Sequence, residues 1–344
     1  MPERSRVADR RSRDQGPDTG GRSALTGGPR PALHWYHRQE VGTVEMTTGK
    51  ATGIVVGIDG SETASEAVEW AAATAALHRS SLTLCHVAAL PAPAGTAAAG
   101  MAERLLEAAV LRAHTVAPGV AVVRRLLDGD VGGHLLRESA HAGMLVLGAR
   151  GHHHRDATAE LGSVATALVA RACVPVAIVH RRQPIAVAPV VVGLDGADAG
   201  VMEIALTEAA LRSRPVLALH AYQLPSLRRY DSLIDFGSAA SRTADRRRLA
   251  RTMAPWRDRY PQVEIVIRMV AGTPASVLAA ASQLAELVVV GRPDSSPPAP
   301  GRMLAGLLPR AGAPVLAVPV VPAAVRVPVP AGRAWTRTPQ PVLP

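Results

Sequence analysis

A glycine-rich segment in the first half of the chain carries the residues best suited to bind a ligand. The tetrapeptide Gly-Ala-Arg-Gly, from Gly148 to Gly151, comes directly after an apolar run. Ten residues separate it from the pair Gly162 and Ser163. Glycine lacks a Cβ, so it allows backbone conformations and close ligand approaches that other residues resist. Free amides and the dipole at a helix start favour an anion. The segment predicts a phosphate-binding loop, although the glycines taken alone favour an ordinary strand–loop–helix turn capped by Ser163.

Asp59 strengthens the prediction of a binding site. It ends the apolar run 53–59, and open α/β sheets hold ligands at the carboxyl ends of their strands. In a sheet of strand order 3-2-1-4-5 the first and fourth strands are neighbours, which would place Asp59 beside Gly148. Its carboxylate could accept hydrogen bonds from a ribose hydroxyl or an adenine amino group. Capping the helix that begins near Ser61 is its alternative role, and the two roles are compatible.

Three other chemistries find little support. His152, His153 and His154 are adjacent, so they do not readily converge on one ion, and we expect a solvated loop rather than a metal site. Residues 44–51 lack the first glycine and the final Ser or Thr of a P-loop. No motif supplies a histidine base for Ser163, and we therefore expect no catalytic residue.

The elements that would position these residues alternate regularly between strand and helix. Short apolar runs predict strands, and apolar residues at helical spacing predict the helices between them. The predicted strands are 53–59, 82–87, 120–127, 144–148 and 174–180, and the predicted helices are 61–79, 101–114, 131–142 and 162–172. Such alternation is typical of a parallel sheet with right-handed crossovers.

The same pattern then starts again, which indicates an internal repeat. The segment VVVGLDG at 190–196 repeats IVVGIDG at 54–60, and the later elements follow in the same order. We expect four regions: a disordered extension at 1–50, a nucleotide-binding domain at 51–181, a degenerate second domain at 189–320, and a Pro-rich flexible tail at 321–344. Met1 and Met46 are both candidate starts.

These motifs resemble the universal stress protein family. The segments that carry the resemblance are VVGIDGS, LVLGARG and LGSVATALVARACVPVAIV, within about residues 52–180 and again 189–320. The resemblance implies an α/β fold of two tandem, doubly wound, five-stranded parallel-sheet domains of strand order 3-2-1-4-5, packed as a pseudo-dimer. It also implies ATP binding. Transferred residue by residue, the family's nucleotide contacts fall on Gly57, Asp59, Val87 after the second strand, Leu147, Gly148, Gly151, Gly162, Ser163 and Val164.

The chain departs from the family pattern in both copies. The loop between Gly151 and Gly162 is one residue longer than the family's nine. In the second copy Gly291 remains, but Asp294 stands where the second glycine is expected, and Arg302 replaces the Ser or Thr. A carboxylate repels phosphate, and the prolines of that loop have no N–H to donate. We therefore expect one nucleotide per chain, although Arg302 could itself hold a phosphate.

Composition narrows the function classes further. The net charge of +10 comes largely from arginines, clustered at 4–13 and 242–251, with no aromatic residues interleaved, so nucleic acid is not expected. Cys85 and Cys173 form no disulfide framework, which favours a reducing compartment. The sequence shows neither an apolar stretch of membrane-spanning length nor a secretory signal. We expect a cytoplasmic protein without membrane contact.

The function predicted from the sequence is regulatory. We expect a protein of the cytoplasmic stress response that binds ATP or another adenine nucleotide, mainly in its first domain. Two alternatives stay open: slow ATP hydrolysis in the same pocket, and an interaction module without nucleotide. A fold alone does not establish turnover. Homodimer formation and the role of a metal also stay open.

Overall fold

The described residues of the first half form five parallel strands and four helices. In this computed structural model the described residues are 53–88, 95–151, 161–180, 187–194, 199–222, 239–293 and 298–320, all within one compact unit. The elements are β1 (Ile54–Ile58), α1 (Glu62–His78), β2 (Leu82–Ala88), α2 (Ala97–Val116), β3 (Val122–Asp128), α3 (Val131–Ser139), β4 (Met144–Gly148), α4 (Ser163–Arg171) and β5 (Val176–Val179). Hydrogen-bonded neighbours give the strand order β3-β2-β1-β4-β5.

Three local predictions need correction. Helix α2 begins four residues before the predicted start at 101, because the Thr96 side chain accepts a hydrogen bond from the Ala99 amide and caps an earlier turn. Helix α3 ends at Ser139 rather than 142, where the Ala142 amide bonds to the Ser139 carbonyl in a turn. Val87 lies within β2 rather than after it, because pairing with β3 extends the strand to Ala88.

The second half repeats this order of elements. They are β6 (Val190–Gly193), α5 (Ala199–Arg212), β7 (Val216–Tyr222), α6 (Ala239–Arg259), β8 (Ile265–Ala271), α7 (Pro274–Ser282), β9 (Leu287–Pro293), α8 (Gly301–Leu307), a 3-10 turn (Leu308–Arg310) and β10 (Val315–Val320). The strand order β8-β7-β6-β9-β10 again corresponds to 3-2-1-4-5. The predicted doubly wound fold is confirmed.

The two halves share one continuous sheet. Strand β5 pairs with β10 in antiparallel orientation, with Ala177 opposite Leu316, and all ten strands therefore form a single sheet. We call this β5–β10 junction the seam. Because β5 and β10 are the fifth strands of their halves, the halves face each other as the partners of a dimer would. The pseudo-dimer packing is confirmed, and the seam is its geometric basis.

Helices cover both faces of the sheet and bury its strands. One apolar core lies under α1, α2, α5 and α6, and a second lies under α3, α4, α7 and α8. Neighbouring strand residues point to opposite faces, so Val56 belongs to the first core and Val55 to the second. The helices contribute many alanines, which let them approach the sheet closely. Among the described residues, no helix has the length and hydropathy needed to cross a bilayer.

A buried polar network links α1 and α5 across the seam. His78 Nε2 lies 2.8 Å from Glu208 Oε1, and Arg212 donates to Glu208 and, at 3.0 Å, to the Thr74 hydroxyl. The Arg212 guanidinium also lies 5.6 Å from the centre of the Trp70 ring. Burial disfavours the charged form of Glu208, but His78 and Arg212 together hold the pKa of its carboxyl below the usual value.

Candidate functional site

A cavity of about 490 Å³ opens at the carboxyl ends of β1, β2 and β4. Its volume falls within the range of small-molecule sites, about 300–1,000 Å³. Every residue that the sequence predicts as a nucleotide contact lines it: Gly57, Asp59, Val87, Leu147, Gly148, Gly151, Gly162, Ser163 and Val164. The residues come from strands that are adjacent only in the folded sheet, together with the start of α4.

Asp59 helps to form the turn that leads from β1 into α1. Its Oδ1 accepts a hydrogen bond from the Ser61 amide at 2.9 Å. Ser61, not Asp59, is the helix cap, since the Ser61 Oγ accepts from the Ala64 amide at 3.1 Å. The predicted capping role of Asp59 is therefore wrong in detail: the carboxylate holds the cap residue in place. The side chain remains exposed at the edge of the cavity.

Thr63 and Ser61 tie the glycine-rich loop to the start of α1. Both hydroxyls donate to the Arg150 carbonyl, at 2.5 Å from Thr63 and 3.1 Å from Ser61. The Arg150 amide in turn donates to the Thr63 hydroxyl oxygen at 3.3 Å. Sequence reasoning did not single out Thr63 or Arg150. No local sequence signal identified this contact, because Arg150 lies more than eighty residues from both hydroxyls in the sequence.

The glycines of the cavity are required for space rather than for unusual backbone angles. None of Gly57, Gly148, Gly151 and Gly162 has a positive φ, which corrects the expectation of special conformations there. A Cβ on Gly148 would lie 2.7 Å from the backbone nitrogen of Ala64 and 2.7 Å from the carbonyl carbon of Thr63. A Cβ on Gly57 would lie 2.8 Å from a methyl group of Leu147. These glycines let α1 and the neighbouring strand pack closely behind the cavity.

Helix α4 presents its free amino-terminal end to the cavity. Gly162 is the cap residue and forms no side-chain cap bond, so the prediction that Ser163 caps this helix is wrong. Ser163 is instead the first helical residue, and its exposed hydroxyl has no hydrogen-bond partner among the described residues. The first hydrogen bond of the helix joins the Thr166 amide to the Gly162 carbonyl. The amides of residues 163–165 are therefore available to an anion.

An apolar wall and a fixed histidine complete the lining. Leu135, Leu147 and Val87 supply the wall. His86 also lines the cavity, and its Nδ1 donates to the Ile58 carbonyl at 2.7 Å, which fixes the orientation of the ring. Burial raises the pKa of the nearby Cys85 thiol to about 12, with a further contribution from the charge of Glu138 and an opposing one from Arg125. Such a thiol is not a nucleophile at neutral pH.

The charges at the cavity suit an anionic ligand with hydroxyl groups. Arg150 and the start of α4 supply positive potential, and Asp59 supplies one acceptor for hydroxyl or amino groups. The described part of the chain contains no group of three or more His, Cys, Asp or Glu placed to hold a metal. His152, His153 and His154 lie outside the described residues, so the expectation for them stays a prediction.

The second half differs where its phosphate loop would begin. A Cβ on Gly291 would lie 2.9 Å from a methyl group of Val320 and 3.3 Å from one of Val201, whereas Gly148 meets helix backbone. Helix α8 begins after Pro300, which forms no side-chain cap bond, and Arg302 is exposed. Asp294 and Pro297 lie outside the described residues. The absence of nucleotide from this half stays a prediction.

The fold and the cavity together define a doubly wound α/β protein with a ligand site at the carboxyl edge of its sheet. A family model described as the universal stress protein family matches residues 52–180. Universal stress protein Rv2623 of Mycobacterium tuberculosis is 33% identical over 275 residues, covering 72% of this chain and 88% of its own. Universal stress protein Rv1996 of the same species is 33% identical over 274 residues, covering 70% and 85%.

A solved structure gives the same fold. The crystal structure of a universal stress protein from Archaeoglobus fulgidus has a TM-score of 0.58 at 16% identity, covering 79% of this chain and 97% of that one. At this identity the structural likeness supports the fold alone. The sequence relatives establish the family: this chain belongs to the universal stress protein family.

Proposed function

We propose that the first half of the chain binds an adenine nucleotide, with ATP as the expected ligand, and that binding serves a regulatory role in the cytoplasmic stress response. The observation that carries the proposal is the convergence of all nine predicted contact residues on one cavity. They come from β1, β2, β4, the loop after β4 and α4, and only the folded sheet brings them together. A random set of surface residues would not line one cavity.

Each part of the cavity suits one part of a nucleotide. The free amides at the start of α4, the Ser163 hydroxyl and the Arg150 side chain would hold the phosphates. Asp59, at the carboxyl end of β1, would accept hydrogen bonds from the ribose hydroxyls. The apolar wall of Leu135, Leu147 and Val87 would cover a face of the base. This division gives a role to the free helix start, to Arg150 and Asp59, and to the apolar wall.

The proposal is one of binding with a regulatory outcome. A ligand stabilises the state that binds it, and it would tie α4, the loop after β4 and the start of α1 together. The loop and the start of α1 already contact one another through Thr63, Ser61 and the Arg150 carbonyl, and the Gly162 amide before α4 donates to the Ala149 carbonyl of the loop at 3.0 Å. A change of their order on binding would alter the surface that a partner protein meets.

The test combines ligand identification with titration. Mass spectrometry of small molecules released from the denatured full-length protein identifies what it carries, and calorimetry with ATP, ADP, AMP, cAMP and adenosine measures affinity and stoichiometry. We expect ATP to saturate near one equivalent per chain. Gly151→Asp should abolish binding, because it places a carboxylate beside Asp59 and the phosphate end of the cavity.

The matched control is Gly119→Asp. Gly119 is exposed, has no atom within 4 Å of an added Cβ, and does not line the cavity, so this variant adds the same charge elsewhere. It should bind ATP as the wild type does. Absence of binding in the wild type, or binding that survives Gly151→Asp, would contradict the proposal.

A further inference from the structure

One buried arginine of the second half reaches into the first half. Arg292 lies in β9 and is only 6% exposed. Its Nη1 donates to the Ala170 carbonyl at 3.0 Å, and its Nη2 donates to the Ala172 carbonyl at 2.6 Å. Both carbonyls belong to the carboxyl end of α4, the helix whose other end faces the cavity. The two ends of one short helix thus contact the cavity and the second half of the chain.

This contact is strong for physical reasons. The last carbonyls of a helix have no partner within the helix and carry the negative end of its dipole. A guanidinium satisfies two of them at once with charge-assisted hydrogen bonds, which gain strength when water is excluded. Helix α4 has nine residues, and a helix this short is not stable by itself and depends on such tertiary contacts.

The first half makes a different contact in return. His180, directly after β5, donates from Nε2 to the Leu308 carbonyl at 2.6 Å, at the carboxyl end of α8. In the first half the position equivalent to Arg292 is Ala149, because Ala149 directly follows Gly148 just as Arg292 directly follows Gly291. Alanine has no side-chain donor. The arginine contact therefore exists in one direction only, toward the helix that borders the cavity.

We infer that Arg292 is a positioning residue for the phosphate end of the cavity, so that the second half sets the affinity of the first half for nucleotide. The inference rests on the proposed function. The guanidinium fixes the carboxyl end of α4, and because the helix is rigid over about 14 Å, this sets where its amino-terminal amides point. The second half, whose own loop has diverged, thereby acts on the binding site across the seam.

The experiment compares Arg292→Met, Arg292→Lys and a control in full-length protein. Methionine keeps an apolar stem of similar length and removes both donors, whereas lysine keeps the charge and can reach one carbonyl. His78→Ala is the matched control, since it removes a hydrogen bond across the seam on the other face of the sheet. Thermal unfolding first tests whether each variant folds cooperatively. If Arg292→Met does not fold, Arg292→Lys replaces it in the comparison with the wild type.

Two readouts follow. In unliganded protein, we expect hydrogen exchange of the backbone amides of 166–172 to quicken in Arg292→Met, partly recover in Arg292→Lys, and stay unchanged in His78→Ala. In calorimetry, we expect Arg292→Met to bind ATP about tenfold more weakly, from the loss of charge-assisted bonds that order α4, with adenosine affinity unchanged. Adenosine lacks phosphates, so a phosphate-specific loss distinguishes positioning from general damage.

The outcomes separate this inference from the proposed function. Unchanged exchange in α4, or an equal loss of ATP and adenosine affinity, overturns the role of Arg292. Equal effects of Arg292→Met and His78→Ala also overturn it, since any weakening of the seam would then suffice. If the wild type binds neither ATP nor adenosine, the proposed function is wrong, while the exchange measurement still decides whether Arg292 orders α4.

Discussion

Gly151 and Asp59 face each other across the mouth of the cavity: a Cβ placed on Gly151 would lie 3.0 Å from Asp59 Oδ2. The other oxygen of the same carboxylate accepts the Ser61 amide at 2.9 Å. The Ser61 amide therefore holds one oxygen of the carboxylate, while the other oxygen lies close to Gly151 of the loop after β4. A larger residue at 151 would displace the carboxylate and, with it, the turn that begins α1.

Substitutions at Asp59 should separate ligand binding from its local structural role. Asp59→Asn keeps an oxygen that can accept the Ser61 amide but loses the charge, whereas Asp59→Ala loses both. We expect Asp59→Ala to weaken ATP binding by about 1–3 kcal/mol, or about ten- to hundredfold, with Asp59→Asn intermediate. Calorimetry measures the affinities, and thermal unfolding measures the effect on the turn. Equal ATP affinity in all three proteins would restrict Asp59 to the turn.

Gly148→Ala should destabilise the fold even without ligand. The added methyl group would lie 2.7 Å from backbone atoms at the start of α1, and backbone cannot move aside as a flexible side chain can. Overpacking of this kind costs about 1–3 kcal/mol. Denaturant unfolding of the unliganded variant measures it, with Gly119→Ala as the control because an added Cβ there meets open space. Equal unfolding free energies for the two variants would show that α1 can shift without cost.

The stability of the fold should depend on pH through the titration of His180. Burial lowers the pKa of its imidazole below 6.5; the hydrogen bond to Leu308 opposes this shift, and the charge of Arg150 adds to it. Protons then bind the unfolded chain more readily than the folded one, so stability is fully present above pH 6.5 and falls as the pH drops through the folded pKa. Thermal unfolding between pH 8 and about pH 5 should show this loss.

His180→Gln provides the comparison for that pH dependence. Glutamine can donate to the Leu308 carbonyl but does not titrate, so the variant should lose the part of the pH dependence that lies just below pH 6.5. Glu208, whose pKa is also lowered, contributes only below its ordinary value of 4.5. A variant that retains the wild-type slope between these values would assign the loss of stability to another group.

The sequence determined the order of the elements and the identity of the residues at the cavity. Strand and helix periodicities are local, and each strand of the first half begins within two residues of its predicted position, because short apolar runs bounded by turn residues, such as 144–148, are typical of buried strands. The family resemblance, now confirmed, supplied the predicted contact residues. Their convergence on one cavity follows from the strand order, which places β1 between β2 and β4. The domain limits, the nucleotide and the cytoplasmic location stay predictions.

Only the tertiary structure decided how the residues act. Local pattern could not show that Gly148 is required by the backbone of α1 or that Thr63 holds the loop of Arg150, because these partners are more than eighty residues apart in sequence. The pairing of β5 with β10 and the reach of Arg292 to α4 lie further still from any local signal. A strand edge and a buried guanidinium can each be satisfied by many partners, and the packing of the whole sheet selects one of them.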